Sequence, residues 1–214
     1  MPPSKSTKKT STTNQVRINA GVWRSRLIKF PDVEGLRPTP DRVRQTVFNW
    51  LGQDLTGKIC LDLFAGTGVM GFEALSRNAK SVTMIEQSGT AFKALKQNKA
   101  VLNASEMLIL QQDALIFLSL NKQLFDIIFC DPPYNKGWLD KLLPVLNQHL
   151  AENGVVYAEA EFEIKSDETW QVVKHNRAGN VHYHLLSKHS SSVIPVPIMS
   201  LLCSDIIGTG MTKL

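Results

Sequence analysis

Cysteine is scarce: the 214 residues hold three, none in a CxxC spacing, which argues against a zinc ribbon or a disulfide scaffold. Cys60 and Cys130 sit inside apolar runs, where a buried structural thiol is expected. No stretch approaches the ~20 apolar residues of a membrane span. The basic N-terminus has no apolar segment behind it, so it does not read as a secretory signal. There are no internal repeats, and charged residues make up only 20% against 43% hydrophobic, which excludes a wholly disordered chain. What is left is a chain long enough to bury a core without a staple, as one domain plus appendages. A soluble, cytoplasmic protein is the expectation.

Charge is modest in total, at +5, but unevenly placed. Residues 1–49 carry ten Lys/Arg against Asp32, Glu34 and Asp41, a net +7, whereas the rest of the chain is at −2. A basic front on a near-neutral body suggests a surface for a polyanion; a solubilising tail is the alternative.

Residues 1–14 are Ser/Thr/Lys/Pro-rich and too polar to order, which predicts a disordered basic arm. Over 15–52, strands at Val16–Asn19 and Val22–Ile28 around Ala20-Gly21 predict a hairpin, with Arg24 and Arg26 on one strand face. Thr39-Pro40-Asp41 then predicts an N-cap, a proline at the first helical position and an acid in the first turn. The helix runs to about Leu51, burying Val43, Val47, Trp50 and Leu51. From 53 to 187 strand-like and helical stretches alternate, which predicts a Rossmann-like α/β domain with a mostly parallel seven-stranded sheet. The strands at Gln171–His175 and Val181–Leu186 have little between them, implying an antiparallel edge. The tail over 188–214 has no clear period and no assigned role.

In such a sheet, ligands bind beyond the carboxyl ends of the strands. Four clusters fall at successive strand ends. Asp62-Leu63-Phe64-Ala65-Gly66-Thr67-Gly68 ends the first; its glycines permit a tight turn close to a ligand, and Asp62 suits a cationic group rather than a pyrophosphate. On its own, the glycine spacing is also compatible with a plain strand-to-helix turn. Glu86 ends the second strand, where a carboxylate accepts both hydroxyls of an adenosine ribose in NAD and S-adenosylmethionine proteins alike. Asp113-Ala114 follows the third; Asp113 could accept from an adenine amino group or simply cap the next helix.

Asp131-Pro132-Pro133-Tyr134 follows the fourth strand. Two prolines fix φ and remove two donors, leaving the Asp131 carboxylate and the Pro132 carbonyl as acceptors. Tyr134 offers a face on which a base can stack. Acceptors gripping an exocyclic amine pull its nitrogen toward tetrahedral geometry and aim the lone pair at an electrophilic methyl.

At these residues the sequence resembles the class I S-adenosylmethionine-dependent methyltransferases. With Arg17-Ile18, Ala20-Gly21, Trp23-Arg24, Arg26, the run Gly35 to Leu51 and Glu73-Ala74-Leu75-Ser76-Arg77, it resembles the RsmD family over about residues 16–187. That family methylates the exocyclic N2 of a guanine in 16S ribosomal RNA. The resemblance implies S-adenosyl-L-methionine contacts at Asp62, Gly66, Gly68, Glu86, Asp113 and Ala114. It also implies methyl transfer at Asp131, Pro132 and Tyr134. It further implies a ribosomal RNA partner, within a small-subunit particle and with no membrane, for a monomeric enzyme. Asn78 stands where the family pattern leads one to expect glycine, at a helix end where Asn can replace it. The charge asymmetry marks Arg17, Arg24, Arg26, Arg37, Arg42 and Arg44 as candidate RNA contacts. No metal is expected: a sulfonium is already an electrophile, although His182 and His184 share a strand face. A DNA adenine-N6 methyltransferase is the rival enzyme, disfavoured by the lack of a large target-recognition domain. A non-catalytic RNA-binding assembly protein is the rival from another class, disfavoured by the intact Asp131 box.

Overall fold

The computed structural model describes residues 13–134 and 136–189. The arm expected over 1–14 lies outside these residues except for its last two, which begin a strand, and the tail is outside beyond His189.

A two-stranded sheet opens the chain, β1 (Thr13–Arg17) against β2 (Leu27–Pro31), antiparallel with Arg17 opposite Leu27. The hairpin expected from the sequence is present, but its second strand begins later than expected. Residues 18–26 form a turn, so Arg24 and Arg26 do not share a strand face. Docking explains the difference. Gly21 adopts φ +82°, and a Cβ there would lie 1.7 Å from the Ser76 carbonyl oxygen. The Val22 N–H donates to that same oxygen at 2.7 Å, and the Trp23 N–H to Ser76 Oγ at 2.9 Å. The turn is shaped by what it lies on.

Helix α1 (Asp41–Leu51) follows. Pro40 rather than Thr39 holds the N-cap position and no side chain caps it; the Thr39 carbonyl instead accepts from Arg44 at 2.6 Å. Then come β3 (Ile59–Asp62), α2 (Val69–Ser76), β4 (Ser81–Glu86), α3 (Gly89–Leu102), β5 (Met107–Gln111), α4 (Ala114–Leu120), β6 (Phe125–Cys130) and α5 (Trp138–Leu146). The chain ends in β7 (Leu150–Ala160), β8 (Trp170–Ala178) and β9 (Val181–Lys188). Helix α5 stops at Leu146, and a 3₁₀ turn at Asn147–His149 leads into β7. Asn78 has φ +70° just past α2, the left-handed position that Asn tolerates.

The seven-stranded sheet has the order β5-β4-β3-β6-β7-β9-β8. The first five are mutually parallel, and β9 is antiparallel to both neighbours. The antiparallel strand thus sits one place in from the edge, because β8 and β9 form a hairpin that returns inward. Helices cover both faces. On one, Val16, Ile18, Ile28, Val47 and Phe48 from the N-terminal segment join Phe72, Met84, Leu95 and Phe129 in a single core. On the other, Phe117, Leu142 and Leu146 pack on Leu61, Ile128 and Leu186. The N-terminal segment is therefore part of the main core.

A buried charge network fastens it there. Glu73, fully buried, accepts the Asn19 N–H at 3.0 Å and the Ala20 N–H at 3.2 Å. It pairs with Arg77 at 2.8 Å and lies 3.7 Å from Arg44 Nε. Arg44 also donates to the Arg17 carbonyl and to Asp41.

Candidate active site

Strand order reverses at β3: β4 and β5 lie on one side, β6 and β7 on the other. Such a reversal opens a crevice at the carboxyl ends of the strands. Asp62, Glu86, Asp113 and Asp131 all come from those ends, as the sequence leads one to expect.

Asp62 is the last residue of β3 and is 4% exposed. It accepts the Gly71 N–H at 3.0 Å. Burial pushes its carboxyl up to about 7, partly opposed by that hydrogen bond and reinforced by Glu86. Gly68 precedes α2 with φ +80°, and a Cβ there would lie 2.4 Å from Leu95 Cδ2 and 2.9 Å from the Phe72 ring. This glycine is thus required by the helix packing behind the turn. Glu86 holds the turn from the neighbouring strand: Oε2 accepts the Gly66 N–H at 2.8 Å and Oε1 the Ser88 N–H at 2.6 Å. Each carboxylate oxygen has a second acceptor site, so both can still receive a hydroxyl. Asp113 caps α4, with Oδ1 accepting the Leu115 and Ile116 N–H groups at 2.9 and 3.1 Å. Ala114 is buried as the first residue of that helix.

Beyond β6 stands Asp131-Pro132-Pro133-Tyr134. The register Cys130↔Ala158 brings Asp131 alongside Glu159 of β7. Burial, then the charges of Glu159 and Asp62, push the Asp131 carboxyl well above the usual carboxylate range. Glu159 is buried, raised by the same burial, and accepts from the hydroxyls of Tyr134 (3.1 Å) and Tyr157. Pro132, Pro133, Tyr134, Glu159 and Phe162 line one pocket. Tyr134 is 42% exposed, its ring open to a stacking partner. Glu159 does not stand out in the sequence; the available signal was an acid inside an otherwise apolar strand, Val155 to Ala160.

The six arginines do not act as a group. Arg44 is 0% exposed and consumed by the Glu73 network, so it cannot reach a phosphate; burial behind α1 corrects that expectation. Arg24 and Arg26 are exposed, but they belong to the turn on Ser76, the last residue of α2, and Arg26 reaches the Val101 carbonyl near the end of α3. Both helices start at the crevice, and α3 is about 20 Å long at its 14 residues, so this pair lies at the far end of the sheet. Arg17 is exposed beside the same turn, donating to the Ser25 carbonyl at 3.1 Å. Arg37 and Arg42 are exposed and differently placed. Leu36 Cδ1 would lie 3.3 Å from a Cβ on Gly66, which puts Arg37 beside the glycine turn. Arg42 is in the first turn of α1.

His175, His182 and His184 come together on β8 and β9 with ligand-type nitrogens within 4.8 Å of one another. Their rings are parallel to within 13°, His175 Nε2 and His182 Nδ1 share a hydrogen bond at 3.0 Å, and His184 Nε2 already accepts the Ile164 N–H at 3.0 Å. Cys60 and Cys130 are free and buried; burial pushes the Cys60 thiol up to about 12. No helix among the described residues is long and apolar enough to cross a membrane.

Strand order and the ring of strand-end acids define a Rossmann-like fold of the class I methyltransferase type. SMU.776, solved in complex with SAH, shares that fold at a TM-score of 0.65 with 15% identity, covering 84% of this chain and 57% of its own. The family model described as Conserved hypothetical protein 95 matches residues 16–187. Ribosomal RNA small subunit methyltransferase D of Escherichia coli (strain K12) is 38% identical over 185 residues, 84% of this chain and 93% of that protein. The solved structure of Escherichia coli yhhF superposes with a TM-score of 0.74 at 39% identity, covering 82% of this chain and 98% of its own. The chain belongs to that family, the RsmD family.

Proposed function

We propose that this protein transfers a methyl group from S-adenosyl-L-methionine to the exocyclic N2 amine of a guanine in small-subunit ribosomal RNA. It would act in the cytoplasm, as a monomer, on a small-subunit particle. The observation that carries this reading is the meeting of Asp131-Pro132-Pro133-Tyr134 with an acid-lined crevice at the strand reversal, in a chain of this family.

The residues fit the cofactor. Asp62 is a buried carboxylate whose charge is opposed by burial and by neighbouring Glu86, and a cationic ligand relieves that conflict. Asp62 would meet its ammonium, Glu86 its ribose hydroxyls, Gly66 and Gly68 its close approach, and Asp113 with Ala114 its adenine. When bound, the cofactor supplies a methyl on a sulfonium, an electrophile that needs no metal. Asp131 and the Pro132 carbonyl would grip the N2 hydrogens and hold the nitrogen's lone pair in line. Tyr134 would stack on the base, which must leave its own stack to reach them at a cost of a few kcal/mol. The acidic crevice repels a polyanion. RNA is then held outside it, by the basic N-terminal segment.

Small-subunit particles from cells lacking the gene, incubated with methyl-labelled cofactor and digested to nucleosides, test the reading. Label in N2-methylguanosine supports it. Label in N6-methyladenosine, or none, contradicts it.

A further inference from the structure

The acid without a sequence motif has the more telling position. Glu159 lies in β7, one strand beyond the Asp131 box, with its side chain on the same sheet face as Tyr157. It is 5% exposed, and both of its carboxylate oxygens are engaged by tyrosine hydroxyls, Oε2 by Tyr134 and Oε1 by Tyr157. Burying a carboxylate this deeply is costly unless it is paired with a cation or used. Among the described residues, its hydrogen bonds come from hydroxyls and not from a cation. Purely apolar residues would fill the same space at less cost.

We propose that Glu159 is a positioning residue of the transfer site, fixing the Tyr134 ring through its hydroxyl and, as the buried like charge beside Asp131, priming that carboxylate to take the amine's proton. The proposal rests on the methyl-transfer reading above. On forming the N–CH₃ bond from its lone pair, the amine nitrogen becomes positive. One N–H bond then breaks, its electron pair stays on nitrogen, and the proton forms an O–H bond on Asp131 before passing to solvent. A second acid alongside makes the ionised form of Asp131 less comfortable and so a better proton acceptor. The raised proton affinity of both carboxyls agrees with this geometry. The other titratable groups facing the pair are Asp62 from β3, Glu161 on the continuation of β7, and the hydroxyls of Tyr134 and Tyr157. Lys136 and Asp140 line the same pocket.

The test compares wild type, Glu159→Gln and Tyr134→Phe. Its readouts are single-turnover methyl transfer against pH, cofactor affinity by calorimetry, and ¹³C-carboxyl titration of Asp131 in the cofactor-free protein. Glu159→Gln is expected to slow transfer at least tenfold at neutral pH and leave cofactor affinity within about twofold. Both the acid limb of its rate profile and the Asp131 titration should move to lower pH. Tyr134→Phe cuts the hydroxyl link without removing the charge, so it should lose rate while both titrations stay in place. Should Glu159→Gln not fold, the Tyr134→Phe result still decides the ring-holding role, and full rate in that variant overturns it. Wild-type rate and titration in Glu159→Gln overturn the proposal, whereas a wild type that methylates no guanine overturns the reading beneath it instead.

Discussion

Glu86 grips Gly66: across the gap between two parallel strands, its Oε2 takes the Gly66 N–H at 2.8 Å. The acid expected to hold a ribose therefore also builds the glycine turn against which the ribose would lie. These two tasks cannot be separated by substitution. Glu86→Ala is expected to weaken S-adenosylmethionine binding by about 1.5–3 kcal/mol, the scale of hydrogen bonds to a charged group. Glu86→Gln should do little better, because its amide nitrogen would face an N–H donor at Gly66 or at Ser88. Calorimetry checks both, and an unchanged affinity in either would show that the ribose lies elsewhere.

Asp62 makes cofactor binding a proton-linked event. Its folded-state carboxyl, pushed up to about 7 by burial, holds a proton between roughly pH 4 and 7 that the unfolded chain has already lost. Its contribution to stability is therefore intact below the ordinary carboxylate value and is lost as pH rises through 7. An ammonium placed beside it lowers the carboxyl again. Binding at pH 6 should then release a proton, and binding at pH 8 almost none. Calorimetry in buffers of differing ionisation enthalpy measures the number directly; equal values at the two pH values would remove the ammonium from Asp62.

Glu73 should be a stability hot spot rather than a functional one. Its removal leaves Arg44 and Arg77 buried without their shared carboxylate and releases the Asn19 and Ala20 N–H groups. Breaking a buried pair from one side typically costs about 3–5 kcal/mol. Glu73→Ala should lower the urea midpoint accordingly. A loss under about 1 kcal/mol would mean that the N-terminal segment is held by its apolar contacts alone.

The arginines divide by position. Arg37→Ala, beside the glycine turn, with Arg42→Ala, in the first turn of α1, should weaken RNA binding and flatten its salt dependence by about one unit for each phosphate no longer neutralised. It should also slow transfer by misplacing the base. Arg24→Ala with Arg26→Ala, at the far end of the sheet, should leave the single-turnover rate at saturating RNA unchanged. Loss of rate in the distant pair alone would reverse this assignment.

Much of this organisation was legible in the sequence because it rests on local patterns. Alternating apolar runs and helices mark a parallel sheet, and the strand expected ahead of Asp131 is present as β6, Phe125–Cys130. Strand-end acids carry their own context: Asp62, Glu86, Asp113 and Asp131 each follow an apolar run and precede a helix or a turn. What was not legible depends on neighbours distant in sequence. The turn over 18–26 takes its form from Ser76, more than fifty residues away. Arg44 looks like a surface cation in a basic stretch, and only the approach of Glu73 on α2 shows it to be buried. Glu159 carries no motif, and its role depends on the pairing of β6 with β7.

Asp131 offers the most direct test. Its proposed partner is the target amine, not the cofactor, so Asp131→Ala should separate chemistry from binding. Single-turnover transfer of labelled methyl to small-subunit particles, measured beside cofactor affinity in the same variant, reads both. The rate should fall at least a hundredfold, with cofactor affinity within about threefold of wild type. Transfer at the wild-type rate, or a loss of rate fully explained by weakened cofactor binding, would contradict a role for Asp131 in gripping the amine.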